Sequence, residues 1–76
     1  MFLKDAKIQK TYIVIKMDLP FDLLRRLEAL GMTKGAKIEV VYRKGKGILI
    51  IKLRGTRFAL GENITSGIEV KEASDE

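Results

Sequence analysis

The chain has 76 residues, which is enough for one small domain and too few for two. It contains no cysteine and no histidine, which excludes disulfides, zinc fingers, iron–sulfur clusters and acid–base catalysis by histidine. The formal net charge is +5, and residues 34–57 hold eight basic residues and one acid. We therefore expect this stretch to face an acidic partner or the chain's own acidic C-terminal part.

The sequence shows no targeting or membrane segment. Its apolar runs fall well short of the roughly 18 residues that a membrane-spanning helix needs. Phe2 and Leu3 are followed at once by Lys4 and Asp5, which breaks the pattern of a signal peptide. We expect a cytoplasmic protein that does not itself span a membrane.

A strand followed by a helix is predicted in the first half of the chain. Residues 10–17 form the strand, because the run Tyr-Ile-Val-Ile at residues 12–15 favours β structure. Asp18 is expected to cap the helix, with Pro20 in its first turn. The helix is predicted over residues 21–30, with an apolar face made of Leu23, Leu24, Leu27 and Leu30.

The predicted helix ends abruptly at Gly31, which can take the positive φ of a left-handed stop because it has no Cβ. In the Schellman form of this stop, Leu27 and Met32 come together as an apolar pair. Lys34 and Gly35 then fit the centre of a type II turn, whose third residue needs positive φ. The segment predicts a helix, a tight turn and a strand in direct succession.

Alternation of apolar and polar residues predicts four further strands. They cover residues 36–44, 48–54 and 57–60 and a closing strand around residues 68–70, separated by turns at residues 45–47, 55–56 and 61–66. The side chains expected to point into the core from the first three of these strands are Ala36, Ile38, Val40, Tyr42, Leu49, Ile51, Leu53, Phe58 and Leu60.

Five short strands and one helix in a chain of this length predict a small, closed all-β barrel. We expect a single domain over residues 1–76, with its core in residues 10–71 and a frayed tail over residues 72–76. Side chains fill the interior of such a small barrel, so it leaves no room for a catalytic pocket. The protein is therefore expected not to be an enzyme.

The segment that ends the helix resembles the signature of the FeoA family, the small cytosolic proteins of bacterial and archaeal ferrous iron uptake. The family pattern is Arg-Leu, then Leu-Gly followed by Met or Leu, then Pro-Gly. The chain differs from it at Lys34, and it has Gln9 and Lys10 where family members often carry a glycine before the first strand. The residues of the structural motif are Leu27, Leu30, Gly31, Met32 and Gly35.

The resemblance implies an SH3-like barrel with the helix inserted between the first two strands. It also implies a protein without catalytic activity that binds and modulates FeoB, a ferrous iron permease of the membrane with a cytosolic GTP-binding domain. No cofactor is expected. No metal site is expected either, because dispersed carboxylates hold divalent ions weakly.

The surface best suited to such a partner is predicted on the second and third strands. If Leu49, Ile51 and Leu53 point inward, then Ile48 and Ile50 point outward among basic residues. Exposed isoleucines inside a charged rim are typical of an interface. The predicted partner-binding residues are Arg43, Lys46, Ile48, Ile50, Lys52 and Arg54.

Other interpretations stay open. The basic residues can be a solvated face that keeps the protein soluble, and the helix or the N-terminal segment can cover the isoleucines. A small basic barrel can also bind RNA or single-stranded DNA, non-specifically here because few aromatic side chains are available for stacking. FeoA-like domains also occur as C-terminal modules of metal-responsive repressors. Finally, an exposed strand edge can pair two copies of the chain.

Overall fold

The computed structural model describes residues 1–73. They form five strands, one main helix and one short helix, and the predicted element boundaries agree to within one residue for the main helix and for the first four strands. A short α-helix takes the place of the single irregular or 3₁₀ turn predicted over residues 61–66. The elements are β1 (Lys10–Met17), α1 (Phe21–Ala29), β2 (Lys37–Lys44), β3 (Ile48–Leu53), β4 (Thr56–Leu60), α2 (Glu62–Thr65) and β5 (Ile68–Glu72).

The strands form one antiparallel sheet in the order β4-β3-β2-β1-β5, so that β1 pairs with both β2 and β5. With α1 between β1 and β2, this confirms the predicted small all-β barrel. One side of the sheet encloses a single apolar core. The core consists of Leu3, Ala6, Tyr12, Val14, Leu27, Met32, Ile38, Val40, Leu49, Ile51, Leu53, Leu60, Ile68 and Val70.

The N-terminal segment is part of this core, which therefore begins before residue 10. Leu3, in a 3₁₀ turn, is fully buried, and Ala6 is 1% exposed. Met1 and Val70 exchange backbone hydrogen bonds, with N–H to oxygen distances of 3.1 and 2.7 Å. The segment is thus fixed along β5.

The C-terminal part of the fold continues past residue 71. Glu72 lies in β5, and the N–H of Ala73 donates to the carbonyl oxygen of Thr11 at 3.0 Å. Of the tail predicted to be frayed, residues 74–76 lie outside the described residues.

The predicted cap of α1 is wrong. The helix begins at Phe21, after Pro20, and no side chain caps its first turn. Asp18 has a different role, because its backbone N–H donates to the carbonyl oxygen of Gly67 at 2.7 Å. That bond ties the end of β1 to the loop before β5 and draws Asp18 away from the helix.

The predicted end of α1 is confirmed. Gly31 has a φ of 100°, and its N–H donates to the carbonyl oxygen of Glu28 at 3.0 Å. The N–H of Met32 donates to the carbonyl oxygen of Leu27 at the same distance, and both side chains are buried. These two bonds define a Schellman stop. Gly35 follows with a φ of 91° in the predicted turn.

The apolar face of α1 meets the core less extensively than predicted. Leu27 is the one residue of α1 that is buried, while Leu23 and Leu24 are half-buried. Leu30 is 49% exposed, and Phe21 at the other end is 66% exposed. Leu30 is the C-cap of the helix, so its contribution to the motif is the position of the stop rather than core packing.

Candidate functional site

The sequence predicts a partner surface on the outward side of β2 and β3, and in the structure this surface continues onto β4. Its residues follow from the strand register, because directly opposed residues on antiparallel strands point to the same face. Lys52 stands opposite Glu39 and Arg57, Ile50 opposite Tyr42 and Ala59, and Ile48 opposite Lys44. We call this surface the outer face; it comprises Glu39, Tyr42, Lys44, Ile48, Ile50, Lys52, Arg57 and Ala59.

The two isoleucines of the outer face are not equivalent. Ile48 is 39% exposed, as predicted for a contact residue, whereas Ile50 is 9% exposed. Ile50 is flanked in the sheet by Tyr42 on one side and Ala59 on the other. The prediction that Ile50 is the exposed centre of the surface is therefore wrong. It belongs to the outward side of β3, yet little of its side chain is exposed.

Tyr42 lies on the outer face rather than in the core, which is a second correction. The register of β2 against β3 shifts between Val40 and Tyr42, so Val41 is an extra residue that reverses the alternation after it. Tyr42 is consequently 44% exposed and opposes Ile50. The apolar centre of the outer face is thus formed by Tyr42 and Ile48, with Ile50 beneath them.

The same bulge removes Arg43 from the predicted rim. Arg43 now opposes Leu49, a core residue, and so belongs to the inward side of β2. Its guanidinium donates to the carbonyl oxygens of Lys4 at 3.2 Å and Ala6 at 2.8 Å. Arg43 therefore fastens the N-terminal segment to the barrel, and its assignment to the binding surface is corrected.

The remaining predicted rim residues lie at three places along β3. Lys46 is in the hairpin between β2 and β3, Lys52 is on the outer face, and Arg54 is in the hairpin between β3 and β4. At about 3.3 Å per residue, Ile48 and Arg54 lie roughly 20 Å apart, so the predicted residues do not form one compact cluster. Lys46 lies at the end of β3 that carries Ile48, whereas Arg54 lies at the opposite end.

The outer face is strongly positive in its local charge. Four of its eight residues are charged, and Glu39 is the single acid among them. Among residues 1–73, one ion pair is present: the ammonium of Lys10 in β1 lies 2.8 Å from the carboxylate of Glu72 in β5, away from the outer face. The hydrogen bond from Lys10 and its positive charge lower the pKa of the Glu72 carboxyl below its ordinary value of 4.5. No outer-face cation takes part in an ion pair with another described residue.

The described residues offer a surface rather than a set of catalytic or metal-binding groups. Among residues 1–73, no cluster of three or more carboxylate, histidine or cysteine side chains is positioned to hold a metal ion. None of the helices in the same part of the chain is long and apolar enough to cross a bilayer. What the geometry assembles is an apolar centre of about two side chains inside a cationic border.

The fold and this exposed sheet face define the class as a small SH3-like barrel domain. The sequence profile of the FeoA domain matches residues 1–72. A Methanocaldococcus jannaschii protein named "Putative Fe(2+) transport protein A" is 32% identical over 68 residues, which is 90% of this chain and 82% of that protein. The chain belongs to the FeoA family.

Solved structures of the family have the same fold. The FeoA protein from Chlorobium tepidum superposes with a TM-score of 0.89 at 28% identity, covering 100% of this chain and 74% of that one. FeoA from Stenotrophomonas maltophilia, solved in complex with zinc and described as an SH3 domain protein, gives a TM-score of 0.79 at 26% identity. That match covers 93% of this chain and 89% of the other. The SH3-like fold predicted from the resemblance is confirmed.

Proposed function

We propose that this protein is a cytoplasmic, non-catalytic accessory protein of ferrous iron uptake that binds the cytosolic, GTP-binding part of an FeoB-type permease. Membership of the FeoA family supports the link to iron uptake. The observation that supports a protein partner is the outer face, where Tyr42 and Ile48 are exposed among cations.

The composition of the outer face favours a protein partner with an acidic surface. Aromatic side chains are enriched at the centres of interfaces, because they bury a large area with few rotatable bonds. Tyr42 and Ile48 are suited to that role, while Lys44 and Arg57 on the outer face favour acidic groups around the contact, as does Lys46 in the adjoining hairpin. The +5 net charge of the chain accelerates encounter with such a surface.

Modulation of the permease needs no chemistry from this protein. A bound protein shifts a conformational equilibrium by its difference in affinity for the two states. The outer face is built on paired strands and a continuous core, which make it a rigid template. On this proposal, the template binds one conformation of the permease more tightly than another. The energy of that difference comes from the contacts at the outer face.

Titration of the isolated cytosolic domain of the permease by surface plasmon resonance tests the proposal. Ile48→Glu is expected to weaken binding by about 2 kcal/mol, roughly thirtyfold, because it places a charge at the apolar centre. Lys52→Gln is expected to slow association, with a smaller effect at high salt. Circular dichroism checks that each variant is folded.

Phe21→Glu is the matched control. Phe21 is a large, 66% exposed apolar residue on α1, and glutamate is favoured in the first turn of a helix, so folding is preserved. The outer face is supported as the binding surface if Phe21→Glu binds as tightly as the wild type while Ile48→Glu binds more weakly. The reverse result assigns docking to α1, and no binding by the wild type refutes the proposal.

A second candidate function is non-specific binding of single-stranded nucleic acid, and the position of Tyr42 favours it. Base stacking needs an exposed aromatic ring beside cations, and Tyr42 lies on the same face as Lys44 and Lys52. Fluorescence polarisation with short RNA and DNA oligomers tests this function. The first proposal is replaced by this one if the protein binds the oligomers with sub-micromolar affinity at physiological salt, loses that affinity in Tyr42→Ala, and does not bind the permease domain.

A further inference from the structure

The end of the sheet opposite the apolar centre has a concentration of unpaired cations. Two adjoining depressions, of about 220 and 360 Å³, share Lys37 and Arg54 in their linings. Lys52 lines the first depression and Lys34 the second, while Glu39 is the one acidic lining residue. We call Lys34, Lys37, Lys52 and Arg54 the cationic cleft. None of the four is in an ion pair with another described residue.

Arg54 has an unusual backbone conformation at this place. Leu53 and Thr56 are paired, so Arg54 and Gly55 form a two-residue hairpin loop, with φ of 54° and 83°. Positive φ at both positions is the signature of a type I′ turn, whose first position normally holds Asn, Asp or Gly. An arginine there costs about 1 kcal/mol or more. Residues that break a local preference in this way are expected at functional or strained sites.

The side chain of Arg54 is directed by the stop of α1. A Cβ placed on Gly31 would lie 3.7 Å from the Nη1 atom and 3.8 Å from the Cζ atom of Arg54. The guanidinium therefore lies over the glycine, at the carbonyl end of the helix, where a cation is favoured. Arg54 also lines both depressions, together with Lys37 in each, Lys52 in the first and Lys34 in the second.

We propose that the cationic cleft binds a phosphate group, either inorganic phosphate or the phosphate of an organic ester or lipid headgroup. Arginine offers a planar fork of N–H donors that matches phosphate oxygens, and lysines add point charges at adaptable distances. Four cations against one carboxylate leave an excess of three positive charges for a dianion to neutralise. The two linings also include Thr11 and Thr33, whose hydroxyl groups are able to donate hydrogen bonds. This proposal of phosphate binding is independent of the proposed contact with the permease.

Titration of the isotopically labelled protein with inorganic pyrophosphate, followed by NMR at physiological ionic strength, tests the site. We expect saturable shifts centred on residues 33–37 and 52–55. The double variant Lys37→Gln/Lys52→Gln is expected to bind about tenfold more weakly, since it removes two charge-assisted contacts. Arg54→Lys is expected to weaken binding as well, because it removes the fork of N–H donors but retains the positive charge.

Lys44→Gln/Lys46→Gln is the matched control, since it removes the same charge at the opposite end of β3. Unchanged pyrophosphate binding in this variant supports the cleft. Equal weakening in both double variants, or shifts that never saturate, overturns the proposal in favour of a diffuse ion atmosphere.

Sedimentation with vesicles identifies the source of the phosphate group. The cleft is assigned to lipid headgroups if the protein binds phosphatidylglycerol vesicles, if the double variant Lys37→Gln/Lys52→Gln binds them more weakly, and if pyrophosphate displaces the protein from them. Saturable pyrophosphate binding without vesicle binding assigns it to a soluble phosphate compound. If the protein binds neither pyrophosphate nor vesicles, the phosphate site is refuted. The proposed contact with the permease is not affected by that result, because the Ile48→Glu variant tests it separately.

Discussion

The backbone N–H of Gln9 donates to the carbonyl oxygen of Val40 at 2.6 Å, and Gln9 holds a φ of 61° while it does so. The bond joins the turn before β1 to β2, directly before the bulge at Val41. A residue with a side chain is strained at this φ, whereas glycine is not. Gln9 is therefore a suboptimal residue for its position.

Gln9→Gly is therefore expected to stabilise the fold. Relief of a left-handed conformation gains about 1–2 kcal/mol, and the greater freedom of glycine in the unfolded chain offsets about half of that. We expect a net increase of about 0.5–1 kcal/mol in the free energy of unfolding, measured by guanidinium denaturation. Lys10→Gly, one residue later in regular strand, should be destabilising, and a loss in both variants would contradict the strain at Gln9.

Gly31→Val is expected to destabilise the fold by about 1–3 kcal/mol, because valine resists the φ of 100° that the stop of α1 requires. The nearest side-chain atoms to an added Cβ are 3.7 Å away, which is an ordinary contact, so the Cβ itself fits and the positive φ carries the expected cost. Gly31→Asn should lose less, since asparagine tolerates this region. Thermal melting followed by circular dichroism measures both, and equal losses would point to packing instead.

Ile50 and Ile48 are expected to differ sharply in stability experiments, although both point away from the core. Ile50→Ala should cost about 2–4 kcal/mol, as truncation of a buried aliphatic side chain does. Ile48→Ala, at a 39% exposed position, should cost less than about 1 kcal/mol. Chemical denaturation of the two variants decides whether Ile50 is structural. Similar small losses would restore Ile50 to the binding surface.

Arg43→Met is expected to loosen the N-terminal segment without touching the outer face. It removes the hydrogen bonds to the carbonyl oxygens of Lys4 and Ala6, a loss of about 1–3 kcal/mol. Hydrogen exchange of residues 1–7 should accelerate, while Lys44→Met, on the other side of the same strand, should leave it unchanged. Slow exchange in Arg43→Met would mean that Leu3 and Ala6 alone hold the segment.

The stability of the fold is expected to depend on acid through the Lys10–Glu72 pair. The pKa of Glu72 is lowered by the hydrogen bond from Lys10, so the pair stabilises the fold above the ordinary value of 4.5, and the contribution is lost as pH falls through the lowered pKa. The denaturation midpoints of the wild type and Glu72→Gln should therefore differ at neutral pH and converge in acid. Added salt should narrow the difference, because both groups are exposed. A constant difference across this range would assign the effect to packing.

The sequence by itself determined the elements of this fold, because their signals are local. The left-handed stop at Gly31, the turn at Gly35 and the alternation of Leu49, Ile51 and Leu53 each depend on a few neighbouring residues. The FeoA resemblance, carried by the same segment, supplied the barrel topology. The same reasoning failed for the cap at Asp18, whose backbone is drawn instead to Gly67, a partner 49 residues further along the chain.

The tertiary structure decided which side chains form the candidate site. One extra residue at Val41 reverses the alternation of β2, which exposes Tyr42 and turns Arg43 toward the N-terminal segment. A bulge depends on how two strands fit each other, so the apolar and polar pattern of one strand cannot reveal it. The burial of Ile50 and the placement of Arg54 near Gly31 likewise depend on how distant segments pack, which sequence periodicity does not encode.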